Sequence, residues 1–345
     1  MRASFLQPAS ADRRVTARAW CRVDLAGGTL DIWPLGLLHP GARTVNVAID
    51  LEVRVEIRPS TSAYRVVQDG SVVEGRSAGE VARQAEGALI GLIVGELGLG
   101  PVEVRVRSAS PRGGGLGASS ALAVATIAAA EAFSQSPATT PHERSALARD
   151  LEAGLMGLPT GRQDHFPALL GGVLDVVHRP GGERVEQIDV DLVALGESLV
   201  VAYTGQSHFS AANNWRVIRR RLDGDPEIIL LFDGIRDVAR RLRESMVAGD
   251  FESVGRLMSE EWGLRRQLAA GVSTPTIEQL LEVGRAAGAW GGKACGAGGG
   301  GSIAVLCPAD RRQEVVERLA AHGAELLSAR PAAGPLSVEI EGGRS

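Results

Sequence analysis

Residues 111–125, PRGGGLGASSALAVA, constrain this chain more than any other segment. An alternating run, VEVRVRS, precedes them, and an alanine-rich stretch reaching Phe133 follows. The pattern therefore predicts a strand that passes through four glycines and enters a helix. Glycine lets the backbone approach phosphate oxygens with no Cβ in the way. The helix start adds unpaired N–H groups and the positive end of the helix dipole. Ser119 and Ser120 fall in the first helical turn, where a hydroxyl either caps the helix or binds a phosphate-held Mg2+.

Two other nucleotide loops compete for this segment. A Walker A loop ends in Gly-Lys-Ser/Thr, and no lysine stands here. The dinucleotide fingerprint G-x-G-x-x-A is formally satisfied by Gly113, Gly115 and Ala118. It also asks for an acidic residue on a second strand about twenty positions further on, whereas only Glu131, inside the same helix, is on offer. An NAD(P)-binding oxidoreductase is thus the competing reading from a different class.

A second glycine segment, GGKACGAGGGGS at 291–302, holds Lys293, the only lysine in a chain rich in arginine. A compact ammonium kept where arginine is otherwise preferred suggests a site that a planar fork would not fit. The glycine density exceeds the needs of a turn and predicts a loop approached closely by ligand or backbone, leading into the apolar strand at 302–307.

At 345 residues, two domains are expected. Periodicity predicts strands at 14–24, 44–58, 102–108, 173–177, 199–203, 302–307 and 336–340. Helices are predicted at 81–97, 118–133, 141–155, 161–170, 212–221, 227–247, 251–270, 276–287 and 311–321. This is an α+β mixture, not a strict βα alternation. It divides into a flexible tail at 1–13, a first domain at 14–195 and a second at 196–345. A net charge of −4 leaves no basic footprint for nucleic acid. Cys21, Cys295 and Cys307 fit no disulfide or zinc spacing and suit a reducing compartment. No apolar run is long enough for a bilayer and no signal-peptide pattern opens the chain, so the expectation is a cytoplasmic protein without membrane or nucleic-acid partners.

The pattern P-x-x-x-G-L-G-x-S-S-A-L, joined to K-x-x-G-A-G-G-G-G, resembles the GHMP kinases, which include galactokinase, homoserine kinase and mevalonate kinase. The resemblance implies an α+β, two-domain fold, with an N-terminal domain like the second domain of ribosomal protein S5 and a ferredoxin-like C-terminal domain. ATP would lie in the groove between them, with Mg2+. It assigns ATP binding to Pro111, Gly113, Gly114, Gly115, Leu116, Gly117, Ala118, Ser119 and Ser120. A middle motif, Leu151-Glu152 followed by Gly161-Arg162-Gln163-Asp164 and Gly171-Gly172, resembles the E…GxxD…GG stretch of sugar kinases. It implies Asp164 as catalytic base and Glu152, with Ser119, as metal ligands. Phosphoryl transfer needs this set: charge neutralisation at the phosphates, and a carboxylate near the accepting hydroxyl.

The N-terminal motif, from Arg22 to Asp31, is similar to that of D-glycero-D-manno-heptose 7-phosphate kinases and fucokinases, and lacks the Glu-His pair of galactokinases. It implies Arg22 as a catalytic partner of Asp164, and Asp31 and Gly28 as substrate-binding, joined by Gly296, Gly298 and Gly299 from the second glycine loop. The implied function is transfer of the γ-phosphate of ATP to a sugar hydroxyl, the anomeric one first, of heptose 7-phosphate or a related sugar. Galactose, fucose and a mevalonate-type substrate are the alternatives. After Tyr203-Thr204-Gly205, His208 occupies the place where those relatives tend to carry an arginine, so an unphosphorylated sugar stays open. A sensor that binds without turnover is disfavoured by the retained Asp164, Glu152 and Ser119.

Overall fold

The computed structural model describes residues 12–207 and 211–342, with residues 211–213 described by backbone alone. The strands in chain order are β1 (Arg14–Ala26), β2 (Arg43–Pro59), β3 (Tyr64–Gln68), β4 (Ser71–Gly75), β5 (Val102–Ser108), β6 (Val173–Arg179), β7 (Gly182–Ile188), β8 (Leu199–Tyr203), β9 (Gly291–Ala294), β10 (Ser302–Leu306), β11 (Glu325–Leu327) and β12 (Ser337–Glu341). They form two sheets, one of eight strands in the order β12-β1-β2-β5-β3-β4 with β6 and β7 branching off β2, and one of four in the order β11-β8-β10-β9.

The branch follows from the length of β2. Its 17 residues are enough for two neighbours in tandem on one edge: β6 against residues 43–47 and β5 against residues 53–59. β1 runs antiparallel along the other edge. Only the β3–β5 pair is parallel, so the doubly wound sheet required by a dinucleotide-binding oxidoreductase is absent from the described residues. The β3–β4 hairpin turns on Asp69-Gly70, both at positive φ, the conformation that favours this dipeptide between paired strands. That signal stands in the sequence, though the strand assignments above leave it out.

The helices before residue 190 are α1 (Leu35–Leu38), α2 (Ala78–Ala82), α3 (Ala88–Glu96), α4 (Ala118–Phe133), α5 (Pro141–Met156) and α6 (His165–Leu170). The single helix expected at 81–97 is instead α2, a 3-10 turn and α3. The two helices touch at Gly91, where an added Cβ would lie 2.5 Å from the Ala82 nitrogen, so the chain folds back on itself at a glycine. Helix α4 packs on β1 and β2, and its buried alanines leave room for a close approach.

The remaining helices are α7 (Leu192–Ser198), α8 (Ala211–Leu222), α9 (Pro226–Val247), α10 (Phe251–Arg265), α11 (Pro275–Ala286) and α12 (Arg312–Ala321). Their starts are legible: Asp225, Asp250 and Thr274 cap the first turns of α9, α10 and α11, and proline occupies the opening position of α9 and α11. One apolar cluster runs from Val47 on β2 through Val238 and Leu242 on α9 to Leu306 on β10, so the two sheets share a core.

The chain's last strand does not stay with the second half. β12 pairs antiparallel with β1, Ser337 opposite Arg18 and Glu341 opposite Arg14, covering an edge of the first sheet. The expected division at 195/196 therefore has the final strand crossing back. Arg13, assigned above to the tail, is buried and donates to the Ala132 carbonyl at 2.7 Å. Among the described residues no helix is long and apolar enough to cross a membrane.

Candidate active site

The glycine loop after β5 opens on a cavity of about 930 Å³. Gly117, at φ 72°, stands in the cap position before helix α4, with no side chain capping it, whereas α5 begins with a complete capping box from Thr140 and Glu143. The first-turn N–H groups of α4 therefore face the cavity unclaimed by any side chain, the arrangement that suits an anion. Ser119 and Ser120 do not cap. Ser119 Oγ donates to Glu152 Oε1 at 3.0 Å, and Ser120 Oγ lies 3.3 Å from both Glu152 oxygens. His165 Nε2 holds Glu152 Oε2 at 2.7 Å from the buried side. The sequence reading assigned His165 no role; its position directly after Asp164 was the available signal.

The two glycine loops meet backbone to backbone. A Cβ on Gly115 would lie 2.7 Å from the Cys295 carbonyl, and one on Gly296 would lie 2.9 Å from the Gly115 carbonyl. The Ser302 N–H donates to the Gly114 carbonyl at 2.8 Å. Of the three glycines assigned to substrate in the second loop, Gly296 lines the cavity. Gly298 and Gly299 instead turn toward Val272, whose carbonyl accepts from the Gly299 N–H at 2.6 Å. Their glycines answer to this packing.

Asp164 ends the turn before α6, and Arg22 reaches it from β1. Arg22 Nε and Nη2 both lie 2.7 Å from Asp164 Oδ1, and Nη1 donates to the Gly115 carbonyl at 2.5 Å. The carboxylate side chain is 26% exposed, the arginine 3%. Burial alone would depress the Arg22 guanidinium, but Asp164 and Asp24 outweigh it and raise its pKa. The Asp164 carboxylate is thus held from behind by an arginine that also touches the glycine loop.

Behind Arg22 lies a buried ion cluster that sequence reasoning did not find. Asp24 accepts from Lys293 Nζ at 3.0 Å, Arg265 Nη1 at 2.8 Å and the Gly296 N–H at 2.7 Å. Glu261 stands 3.0 Å from Lys293 Nζ and 3.7 Å from Arg265 Nη1. Burial would raise the Asp24 pKa, yet Lys293, Arg265 and Arg22 together hold it far below the ordinary carboxylate range. Lys293 sits in β9, fully buried, not in a loop and not on the cavity wall. Its compact ammonium fits between two carboxylates, joining the second sheet to the end of β1.

Asp31 is the other carboxylate at this end. Its Oδ2 accepts from the Gln163 N–H at 3.2 Å, while Oδ1, buried on the cavity wall, has no partner. Burial, then the charge of Asp164, pushes its pKa up to about 6. Gly161 is glycine because a Cβ would meet Asp31 Oδ2 at 1.6 Å, and Gly28 because a Cβ would meet Arg265 Nη2 at 1.9 Å. Gly28 thus makes room for Arg265 and does not line the cavity. His208 lies outside the described residues.

Leu89, Ile90 and Val106 also line the cavity, with Pro111. For Mg2+, the convergent oxygens of Ser119 and Glu152 on the cavity wall are hard donors of the right kind. Two protein oxygens completed by phosphate and water satisfy this ion's habits, so the residues fit it.

Fold and site together define a two-domain α+β protein with a glycine loop set against a paired carboxylate. Residues 81–172 match the family model "GHMP kinases N terminal domain" and residues 242–325 match "GHMP kinases C terminal". The chain belongs to the GHMP kinase family. It is 31% identical over 212 residues to the mevalonate kinase of Methanothermobacter thermautotrophicus, covering 60% of this chain and 65% of that protein. It is 28% identical over 341 residues to the bifunctional fucokinase/GDP-fucose pyrophosphorylase of Arabidopsis thaliana, covering 90% of this chain and 31% of that one. In both cases the match spans less than two thirds of the relative's length. Among solved structures, a D-glycero-D-manno-heptose 1-phosphate kinase from Bacteriodes thetaiotaomicron superposes with a TM-score of 0.74 at 20% identity, over 94% of this chain and 98% of that one. Lactococcus lactis galactokinase complexed with galactose gives 0.73 at 14% identity, over 94% and 95%. These two likenesses are of fold.

Proposed function

We propose that this protein is an ATP-dependent kinase that transfers the γ-phosphate to a hydroxyl of a small acceptor, a sugar, with the anomeric hydroxyl as first candidate. The observation that carries the reading is Asp164, fixed by Arg22 at the mouth of an uncapped helix N-terminus, on the wall of one cavity. The phosphates of ATP lie along Gly113–Ser120 in this reading, and the base lies against Leu89, Ile90 and Val106. Ser119 and Glu152 would hold Mg2+, which when bound neutralises charge on the phosphate oxygens. Asp164 accepts the proton of the attacking hydroxyl, and Arg22 sets the direction of that carboxylate. His165 keeps Glu152 turned toward the serines. Asp31, on the same cavity wall, is the carboxylate placed beside the acceptor in this reading.

The match to the fucokinase protein along 90% of this chain supports a sugar. Heptose 7-phosphate, the first expectation from the motifs, is one member of that class. A mevalonate-type acceptor is the second reading, favoured by the 31% identity to an archaeal mevalonate kinase. The test is ADP release with ATP and Mg2+ over a panel of sugars, sugar phosphates and mevalonate. Turnover of a sugar supports the first reading. Turnover of mevalonate alone replaces it with the second, and ATP binding with no transfer to any acceptor defeats both.

A further inference from the structure

Asp24 has no part in the transfer described above, yet it touches the site from behind. Fully buried near the end of β1, it divides its two oxygens between different tasks. Oδ2 accepts from Lys293 Nζ at 3.0 Å and from Arg265 Nη1 at 2.8 Å, which ties β9 and α10 to β1. Oδ1 accepts from the Gly296 N–H at 2.7 Å and lies 3.8 Å from Arg22 Nη1. Both of these neighbours meet Gly115. Arg22 Nη1 donates to the Gly115 carbonyl at 2.5 Å, and a Cβ on Gly296 would lie 2.9 Å from the same oxygen. Arg22, Gly115 and Gly296 line the cavity, and Arg22 holds Asp164 at 2.7 Å. A single carboxylate oxygen thus braces the meeting of the two glycine loops and the arginine behind Asp164.

Resting on the kinase reading above, we infer that Asp24 is a positioning residue for the transfer: through Arg22 and Gly296 it sets where Asp164 stands against the first glycine loop. A guanidinium between two carboxylates is held from both sides, whereas one paired to Asp164 alone follows that side chain. The Asp164 side chain is 26% exposed and has room to move; Arg22, at 3%, has little, so fixing the arginine fixes the carboxylate. Misplacing a reacting group by about 1 Å costs on the order of 10²-fold in rate. Glu261 belongs to the same cluster but stands on its other side, 3.0 Å from Lys293 Nζ and 3.7 Å from Arg265 Nη1. It therefore serves as the control for burial and charge without the contacts to Arg22 and Gly296.

Asp24→Asn alone would leave buried cations poorly answered and would endanger the fold. The test therefore compares two double variants, Asp24→Asn/Lys293→Met and Lys293→Met/Glu261→Gln. Each removes one cation and one anion from the cluster, both lose the same lysine, and they differ only in which carboxylate goes. kcat and the KM for ATP are read by ADP release with the productive acceptor, on protein shown to be folded by its thermal melt. The Asp24 pair should have a kcat about 10-fold or more below the Glu261 pair, with KM for ATP within about threefold. A second readout needs no acceptor: the Arg22 Nε–H resonance, assigned by its loss in Arg22→Ala, should shift in the Asp24 pair and stay in place in the Glu261 pair. Equal kcat in the two pairs overturns the inference. So does an unmoved Arg22 resonance, or failure of the Asp24 pair alone to fold, which would make Asp24 a support of the fold only. Wild type that transfers phosphate to no acceptor defeats the kinase reading instead, and the resonance then still decides whether Asp24 holds Arg22.

Discussion

A carboxylate buried beside a second carboxylate opposes folding where its donors do not outweigh burial and repulsion, and Asp31, despite the Gln163 N–H, is such a group. Its pKa in the folded chain is about 6, against 3.8 unperturbed, so the native form binds the proton more tightly than the unfolded chain. Stability from this residue is therefore greatest below about pH 4 and is lost as pH rises through about 6. Asp31→Asn should unfold at higher denaturant than wild type at about pH 8, by on the order of 1–3 kcal/mol, with the gain fading toward about pH 4. A variant less stable than wild type at the higher pH would mean the carboxylate is satisfied after all. Ser119 and Glu152 act at the same scale. Ser119→Ala and Glu152→Gln should each raise the Mg2+ concentration for half-maximal activity by roughly 10-fold, since each alters a hard oxygen donor. An unmoved Mg2+ titration in both would remove them from the metal's surroundings.

At the scale of elements, the strand, glycine loop and helix of residues 102–133 were legible because everything they need is local: an alternating strand, four glycines, two serines and an alanine-rich helix within 32 residues of one another. What the sequence hid was long-range. Lys293 and Asp24 are 269 positions apart, and the two residues bracket a cluster whose other members, Glu261 and Arg265, look like ordinary charges on a polar helix. The folding-back of α3 on α2 was hidden for the same reason: Gly91 reads as a mild helix weakness until its contact with Ala82 is known. The loops make a sharper prediction. In Gly115→Ala a Cβ would sit 2.7 Å from the Cys295 carbonyl, at φ 71°. It should cost about 1–3 kcal/mol of stability and weaken ATP binding together. Gly154→Ala on α5, where a Cβ meets nothing within 4 Å, should be neutral or stabilise by about 0.5–1 kcal/mol. Equal behaviour of the two in thermal melts would show that the loop contact is slack.

The whole molecule is closed by its last strand and joined by its buried charges. β12 covers the outer edge of β1, and β1 delivers Arg22 and Asp24 to the site, so the end of the chain supports the start of the chemistry. Deleting residues 337 onward should lower the melting temperature and expose an edge prone to pairing with other chains, with aggregation on heating as the readout. Unaltered melting and solubility would make β12 dispensable. The central claim is that one cavity brings ATP and an acceptor hydroxyl to a carboxylate base. It is tested most directly by Asp164→Asn, comparing kcat for sugar-dependent ADP release with ATP affinity by calorimetry. The account predicts kcat lower by roughly 10²–10⁴-fold with ATP affinity nearly unchanged. Wild-type turnover in that variant would contradict it.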